Sequence, residues 1–167
     1  TGAMVWRDRL DTHPIARVTG APTLAAGRLY VPLSSLEESG AGNPAYPCCT
    51  FRGGVAAYDA VSGKRLWKSY TIAEAPKKTK VTARGTQLWA PAGAGVWSSP
   101  TVDLSRKAVY VATGNGYTEP ADIGSDAVIA FDIDTGKLNP QVAFMSGKLR
   151  IKGDMSKAMK LGQVLKG

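Results

Sequence analysis

The sequence predicts a mainly β protein: about two blades of a β-propeller, too few to close a ring, then a short strand pair and a C-terminal helix. Three observations carry that reading. Segments recur at a near-constant offset, both copies run into the same turn motif, and the texture of the chain changes after Lys137.

The recurrence comes first. Residues 21–32 (APTLAAGRLYVP) return as residues 99–112 (SPTVDLSRKAVYVA), and residues 55–64 (VAAYDAVSGK) return as residues 128–137 (VIAFDIDTGK). The offset is 78 positions from Pro22 to Pro100 and 73 from Asp59 to Asp132. Two separate segments sharing one period mark a repeated supersecondary unit, which buries its apolar face against its neighbours.

Each unit reads as strands. Arg28-Leu-Tyr-Val and Ala108-Val-Tyr-Val-Ala-Thr are β-branched and aromatic runs closed by proline or glycine. Residues 55–58 and 128–131 predict further strands, each leading into an Asp-x-x-[Ser/Thr]-Gly-Lys turn. There the aspartate can bond the turn backbone, and glycine supplies the positive φ. The strand after the first turn carries Trp67, placed to pack between neighbouring sheets. Residues 70–97, with Lys77-Lys78 and Gly85, read as an irregular insertion between units. Four-stranded sheets repeated around a ring make a propeller, and closure takes about four blades at the least.

Beyond Lys137 the pattern is different. Val142-Ala-Phe-Met-Ser-Gly-Lys-Leu-Arg-Ile-Lys-Gly alternates like an amphipathic strand pair around Ser146-Gly147. Asp154 reads as the N-cap of a helix over residues 155–166. Met155, Ala158, Met159, Leu161, Val164 and Leu165 share one face by their three- and four-residue spacing, with Lys157, Lys160 and Lys166 off it. That is the pattern of a core-facing helix with a solvated basic side; a membrane-surface helix is the alternative.

Composition narrows the function classes. The net charge of +8 invites a nucleic-acid reading, but residues 139–167 hold six Lys/Arg and one acid, leaving +3 for the rest. No basic stripe is interleaved with stacking aromatics, so no nucleic-acid partner is expected. No apolar run is long enough for a membrane span. The first residues show no signal-peptide pattern, although the chain starts without Met and a leader could have preceded it. His13 is the only histidine, which excludes a histidine metal cluster and favours a solvated or structural role. Cys48 and Cys49 are adjacent, a spacing that fits neither a zinc ribbon nor a Cys-x-x-Cys redox pair. They are either two free thiols or an eight-membered vicinal disulfide ring, which needs an oxidising compartment to persist.

Five motifs stand in a fixed order: Thr19-Gly-Ala-Pro-Thr, Val31-Pro-Leu-Ser-Ser-Leu-Glu-Glu, Cys48-Cys-Thr-Phe-Arg-Gly, Ala94-Gly-Val-Trp-Ser-Ser-Pro-Thr-Val-Asp and Ala112-Thr-Gly-Asn-Gly-Tyr-Thr. The blade motif alone is unspecific. The ordered set makes residues 1–137 resemble the pyrroloquinoline quinone (PQQ) dependent quinoprotein alcohol dehydrogenases, most closely the polyvinyl alcohol dehydrogenase branch. The tail, residues 138–167, resembles the C-terminal end of a sterol carrier protein 2 (SCP2) domain. The two resemblances overlap at Thr135-Gly-Lys-Leu, so a chimeric junction is expected at residues 135–138.

The first resemblance implies a set of roles. PQQ would lie between the ring of a Cys48–Cys49 disulfide and the indole of Trp97, with Arg52 pairing to a PQQ carboxylate. In the methanol dehydrogenase branch the ring comes from an earlier blade, so this placement follows the closer branch. Ca²⁺ would be held by the amide of Asn115 with Glu37 or Glu38 as the carboxylate ligand. Trp6, Trp67 and Trp89 are expected to be structural. The parent reaction would oxidise a secondary alcohol, polyvinyl alcohol being one candidate, and pass electrons to cytochrome c in the periplasm. The family's catalytic aspartate comes from a segment after the second Asp-x-Asp-Thr-Gly-Lys, which the tail replaces here. Asp126, Asp132 and Asp134 belong to strand and turn positions, so the catalytic base is left unassigned and this chain is expected to be inactive. The rival readings are a non-enzymatic propeller that scaffolds protein partners and an SCP2-like lipid-binding module.

Overall fold

The computed structural model describes residues 1–138. The strand pair and helix expected in residues 139–167 lie outside the described residues. Strands β2 (Thr23–Ala25), β3 (Arg28–Ser35), β4 (Gly54–Asp59) and β5 (Arg65–Tyr70) form one antiparallel meander in sequence order. A short β1 (Ala16–Arg17) lies beside the far end of β3, pairing Ala16 with Ser35. Between β3 and β4 stands a five-residue helix, α1 (Glu37–Ala41).

The second sheet repeats the pattern with β8 (Thr101–Asp103), β9 (Ala108–Ala112) and β10 (Val128–Asp132), three strands among the described residues. Between the sheets, the stretch read from sequence as irregular contains a hairpin of β6 (Lys77–Val81) and β7 (Gln87–Ala90). Every residue of β6 is exposed, so no burial alternation betrayed it.

Strand periodicity decides what each face touches. In β4, Val55 and Ala57 point into the core between the sheets, where Tyr30 and Trp67 meet Val109, Val111, Ile129 and Phe131. Ala56 and Tyr58 point the other way and pack with Val31, Leu29 and Leu10. The first sheet is therefore covered on both faces, by the second sheet and by the N-terminal segment. Val128 is the repeat counterpart of Val55, yet it is 51% exposed where Val55 is 0% exposed. On the outward face of the second sheet Val128 is exposed, while Ala108 and Ala130 are buried.

The two turns are superposable in their bonding. Ser62 donates its N–H and hydroxyl to Asp59, and Thr135 donates the same pair to Asp132. The Trp67 indole N–H donates to the carbonyl of Ile133 at 3.1 Å, beside Phe131. The Trp6 indole N–H donates to the carbonyl of Ala60, also at 3.1 Å, stacked on Tyr58. Both tryptophans lie over the turn glycine: a Cβ on Gly63 would come within 2.5 Å of Trp6, and one on Gly136 within 2.6 Å of Trp67. One indole thus docks on the turn of the next sheet, twice. Trp6 occupies for the first sheet the place that Trp67 occupies for the second, which extends the repeat upstream of the sequence match.

Candidate cofactor site

One backbone ladder carries Cys48, Cys49 and Asn115 and runs up to Trp97. Its middle rail is the chain from Trp89 to Val96. Trp89 and the cysteine pair exchange bonds, Trp89 N–H to the Cys48 carbonyl at 2.8 Å and Cys49 N–H to the Trp89 carbonyl at 3.3 Å. Gly93 donates to the Phe51 carbonyl and accepts from the Gly53 N–H, both at 2.8 Å. On the other side Ala94 donates to the Asn115 carbonyl at 2.9 Å, and Gly114 donates to the Gly95 carbonyl at 2.8 Å. Val96 closes the rail by donating to Leu33 at 3.0 Å. Glycine is needed where the rails touch: a Cβ at Gly53 would fall 1.8 Å from the Ala94 oxygen, and Gly93 has φ +112°.

On one side of the rail the structure joins Cys48 and Cys49 in a vicinal disulfide. Cys49 is buried and Cys48 half-buried. The segment carrying the pair is held from beneath by Glu37, whose side chain is 0% exposed. Glu37 Oε1 accepts from the Tyr46 hydroxyl at 3.0 Å and the Thr50 N–H at 2.9 Å, and Oε2 accepts from the Phe51 N–H at 2.7 Å. Burial, aided by the adjacent Glu37 carboxylate, pushes the Tyr46 phenol up to about 12, so it stays a donor. His13 approaches the same carboxylate at 3.6 Å and bonds the Thr50 hydroxyl at 3.0 Å.

On the other side, Glu38 is exposed and accepts from the Asn115 side-chain amide at 3.1 Å, across 77 positions of sequence. The structure therefore separates the two candidate carboxylates. Glu38 stands with the candidate amide ligand, whereas Glu37 has its oxygens engaged by protein donors. Consecutive residues of a single helical turn point in different directions, which the sequence alone left open. Trp97 is 38% exposed, and its indole nitrogen lies against Gly95 and Gly114, where any Cβ would stand 3.2 and 3.0 Å away. The glycines make a shelf on which the indole can lie.

Arg52 is anchored differently. Its Nη1 donates to the carbonyls of Ile72 and Ala73 at 3.2 and 2.9 Å, and the guanidinium lies over the Tyr70 ring at 3.8 Å. It lines a cavity of about 210 Å³ with Asp11, His13, Thr50 and Tyr70. Asp11 there is ion-paired with Lys68 and accepts from Tyr70; burial opposes ionisation, but these partners hold its carboxyl below the usual range.

The donor set fits part of the expected site. Exposed Glu38 and Asn115 supply two hard oxygens of the kind Ca²⁺ takes. No cluster of three or more His, Cys, Asp or Glu able to hold a metal occurs among the described residues. Sequence reasoning missed Tyr46, Thr50 and His13 as supports of the disulfide segment; the polar residues flanking Cys48-Cys49 were the available signal.

Over residues 2–141 the chain matches the family described as PQQ: Glucose/ethanol/alcohol dehydrogenase, beta-propeller domain. A polyvinylalcohol dehydrogenase of Pseudomonas sp is 48% identical over 138 residues, 83% of this chain and 22% of that protein. A second, from Sphingopyxis sp. (strain 113P3), is 40% identical over 153 residues, 92% of this chain and 23% of that protein. Hydroxysteroid dehydrogenase-like protein 2 of Bos taurus is 46% identical over 56 residues, 30% of this chain and 13% of that protein. Among solved structures, quinohemoprotein alcohol dehydrogenase from Comamonas testosteroni aligns with a TM-score of 0.50 and 25% identity, covering 73% of this chain and 20% of that one. The chain thus spans less than a quarter of the two polyvinylalcohol dehydrogenases.

Proposed function

The chain belongs to the PQQ glucose/ethanol/alcohol dehydrogenase β-propeller family, and on that basis we propose that it supplies part of the cofactor site of a PQQ-dependent alcohol dehydrogenase. The single observation that carries the reading is the meeting of Glu38 and Asn115 on the ladder that also bears Cys48–Cys49 and precedes Trp97. In this reading Cys48, Cys49 and Trp97 are the two stacking faces, and Arg52 pairs with a carboxylate of the cofactor through guanidinium donors other than Nη1. Asn115 and Glu38 are the Ca²⁺ ligands; Glu37 is not assigned to the metal. When bound, PQQ would supply the quinone that accepts the two electrons of alcohol oxidation.

The whole protein's substrate is proposed to be a secondary alcohol of the polyvinyl alcohol type, by likeness to the two polyvinylalcohol dehydrogenases. Cytochrome c is the proposed electron acceptor and the periplasm the proposed compartment. An oxidising compartment agrees with the vicinal disulfide. No helix among the described residues is long and apolar enough to cross a membrane. The propeller part is taken to end at residues 135–138. Lys64 and Lys137 are repeat equivalents, so the place of Trp67 is taken by Pro140, and the indole that would dock on a following sheet is missing. An SCP2-like tail is proposed to be joined there.

The test is titration with PQQ and Ca²⁺, following tryptophan quenching, on this chain and on a version extended with native downstream blades. The extended protein is expected to bind, with Trp97→Ala and Cys48→Ser each weakening affinity at least about tenfold, the loss of a stacking face. Unchanged affinity in both variants would remove the sandwich assignment.

A further inference from the structure

Glu37 is the largest fully buried charged side chain in the described fold, and the proposed reading gives it no part in the chemistry. Its three close partners bracket one short segment. The Tyr46 hydroxyl comes from two residues before Cys48, and the Thr50 and Phe51 N–H groups are the two that follow Cys49. Burying a carboxylate is unfavourable unless donors surround it, and here the three shortest bonds come from the chain on either side of the disulfide, with the Thr50 hydroxyl at 3.5 Å and His13 Nε2 at 3.6 Å beyond them. Among the described residues, the main-chain bonds of the cysteine pair itself are the two with Trp89 and one from Cys48 N–H to the Tyr46 carbonyl at 2.8 Å.

We propose that Glu37 is a positioning residue for Cys48–Cys49: a buried carboxylate that clamps residues 46–51 and holds the disulfide at a set height on the Trp89 rail. This deepens the proposed cofactor role and rests on it for its purpose, while the clamp itself is testable without cofactor. A carboxylate is needed rather than an amide. With the glutamine oxygen at Oε1, the two bonds from Tyr46 and Thr50 survive, but an NH₂ group then faces the Phe51 N–H at 2.7 Å. Two donors pointed at each other in a buried site force the segment to shift. Glu38, next in sequence, is exposed and has no such role.

The experiment uses the chain as it is and measures thiol formation at Cys48 and Cys49 with dithiothreitol as reductant, trapping with maleimide and reading the mass shift over time. Glu37→Gln is expected to be reduced roughly tenfold faster than the parent, the scale of one lost buried bond. Val109→Ala, which loosens the core between the sheets far from this loop, is the control for general destabilisation and is expected to stay within about twofold. Should Glu37→Gln fail to fold by circular dichroism, Tyr46→Phe removes a single donor and is expected to be reduced roughly threefold faster. Equal rates in the parent and the clamp variant, or an equal acceleration in Val109→Ala, would overturn the proposal. Free thiols in the unreduced parent would overturn it too. A failed PQQ titration with an accelerated Glu37→Gln would leave the clamp standing and remove only the cofactor reading.

Discussion

Asp59, Asp103 and Asp132 each place one carboxylate oxygen at the head of a turn, where it accepts from a hydroxyl and from a backbone N–H. For Asp59 the Ser62 hydroxyl and N–H lower the pKa; for Asp103 the Ser105 hydroxyl and Arg106 do so. For Asp132 burial pulls upward, but the Thr135 bonds win and the shift is downward. A depressed folded-state pKa stabilises above the unfolded value and loses that contribution as pH falls through the folded value. The melting temperature is therefore expected to be flat from about pH 7 to about pH 5 and to fall below about pH 4, near the unfolded aspartate value. Asp132→Asn should shrink the acid-side drop in a pH series of thermal melts; an unchanged drop would refute the assignment. These turns were legible in the sequence because Asp-x-x-[Ser/Thr]-Gly is local chemistry. The division of labour between Glu37 and Glu38 was not, because it depends on which donors arrive from residues 46–51 and from Asn115.

At the scale of the element, the tryptophans couple one sheet to the next. Trp67→Phe keeps a ring over Gly136 but removes the indole donor from the Ile133 carbonyl, which still accepts from Arg28 Nη1 at 2.9 Å. The expected loss is about 0.5–1.5 kcal/mol, the net worth of one hydrogen bond, read by urea unfolding. A change below about 0.5 kcal/mol, the range of a neutral surface substitution, would show that the bond is dispensable. The sequence placed Trp67 between sheets but left Trp6 as merely structural. The indole of Trp6 reaches a turn 54 positions downstream, and no local pattern announces such a contact. The β6–β7 hairpin escaped for the opposite reason. Its strand has neither alternation nor burial to read, and its ladder is held by backbone bonds that any sequence can make.

At the scale of the whole molecule, the described residues hold two adjacent sheets of one repeat, and burial sets the two apart. Val55 and Val128 occupy equivalent positions, one buried in the inter-sheet core and one exposed. Val55→Asp places a charge in that core and is expected to abolish cooperative unfolding, since an unpaired buried charge exceeds the few kcal/mol that hold a domain together. Val128→Asp should shift the melting temperature by no more than about 2 °C, as for a surface change, and reduce self-association by sedimentation, since it replaces an exposed apolar side chain with a charge. Equal destabilisation by both would mean that the second sheet is covered as the first is.

The sequence by itself determined the blade unit, its period and its turns, and it named the candidate site residues. Those properties live in short segments, where spacing and residue type suffice. Only the tertiary structure decided which carboxylate stands with Asn115, which one is buried under the disulfide, and which valine of an equivalent pair is covered. Each of these depends on donors and surfaces brought from distant parts of the chain, and no local pattern carries that information.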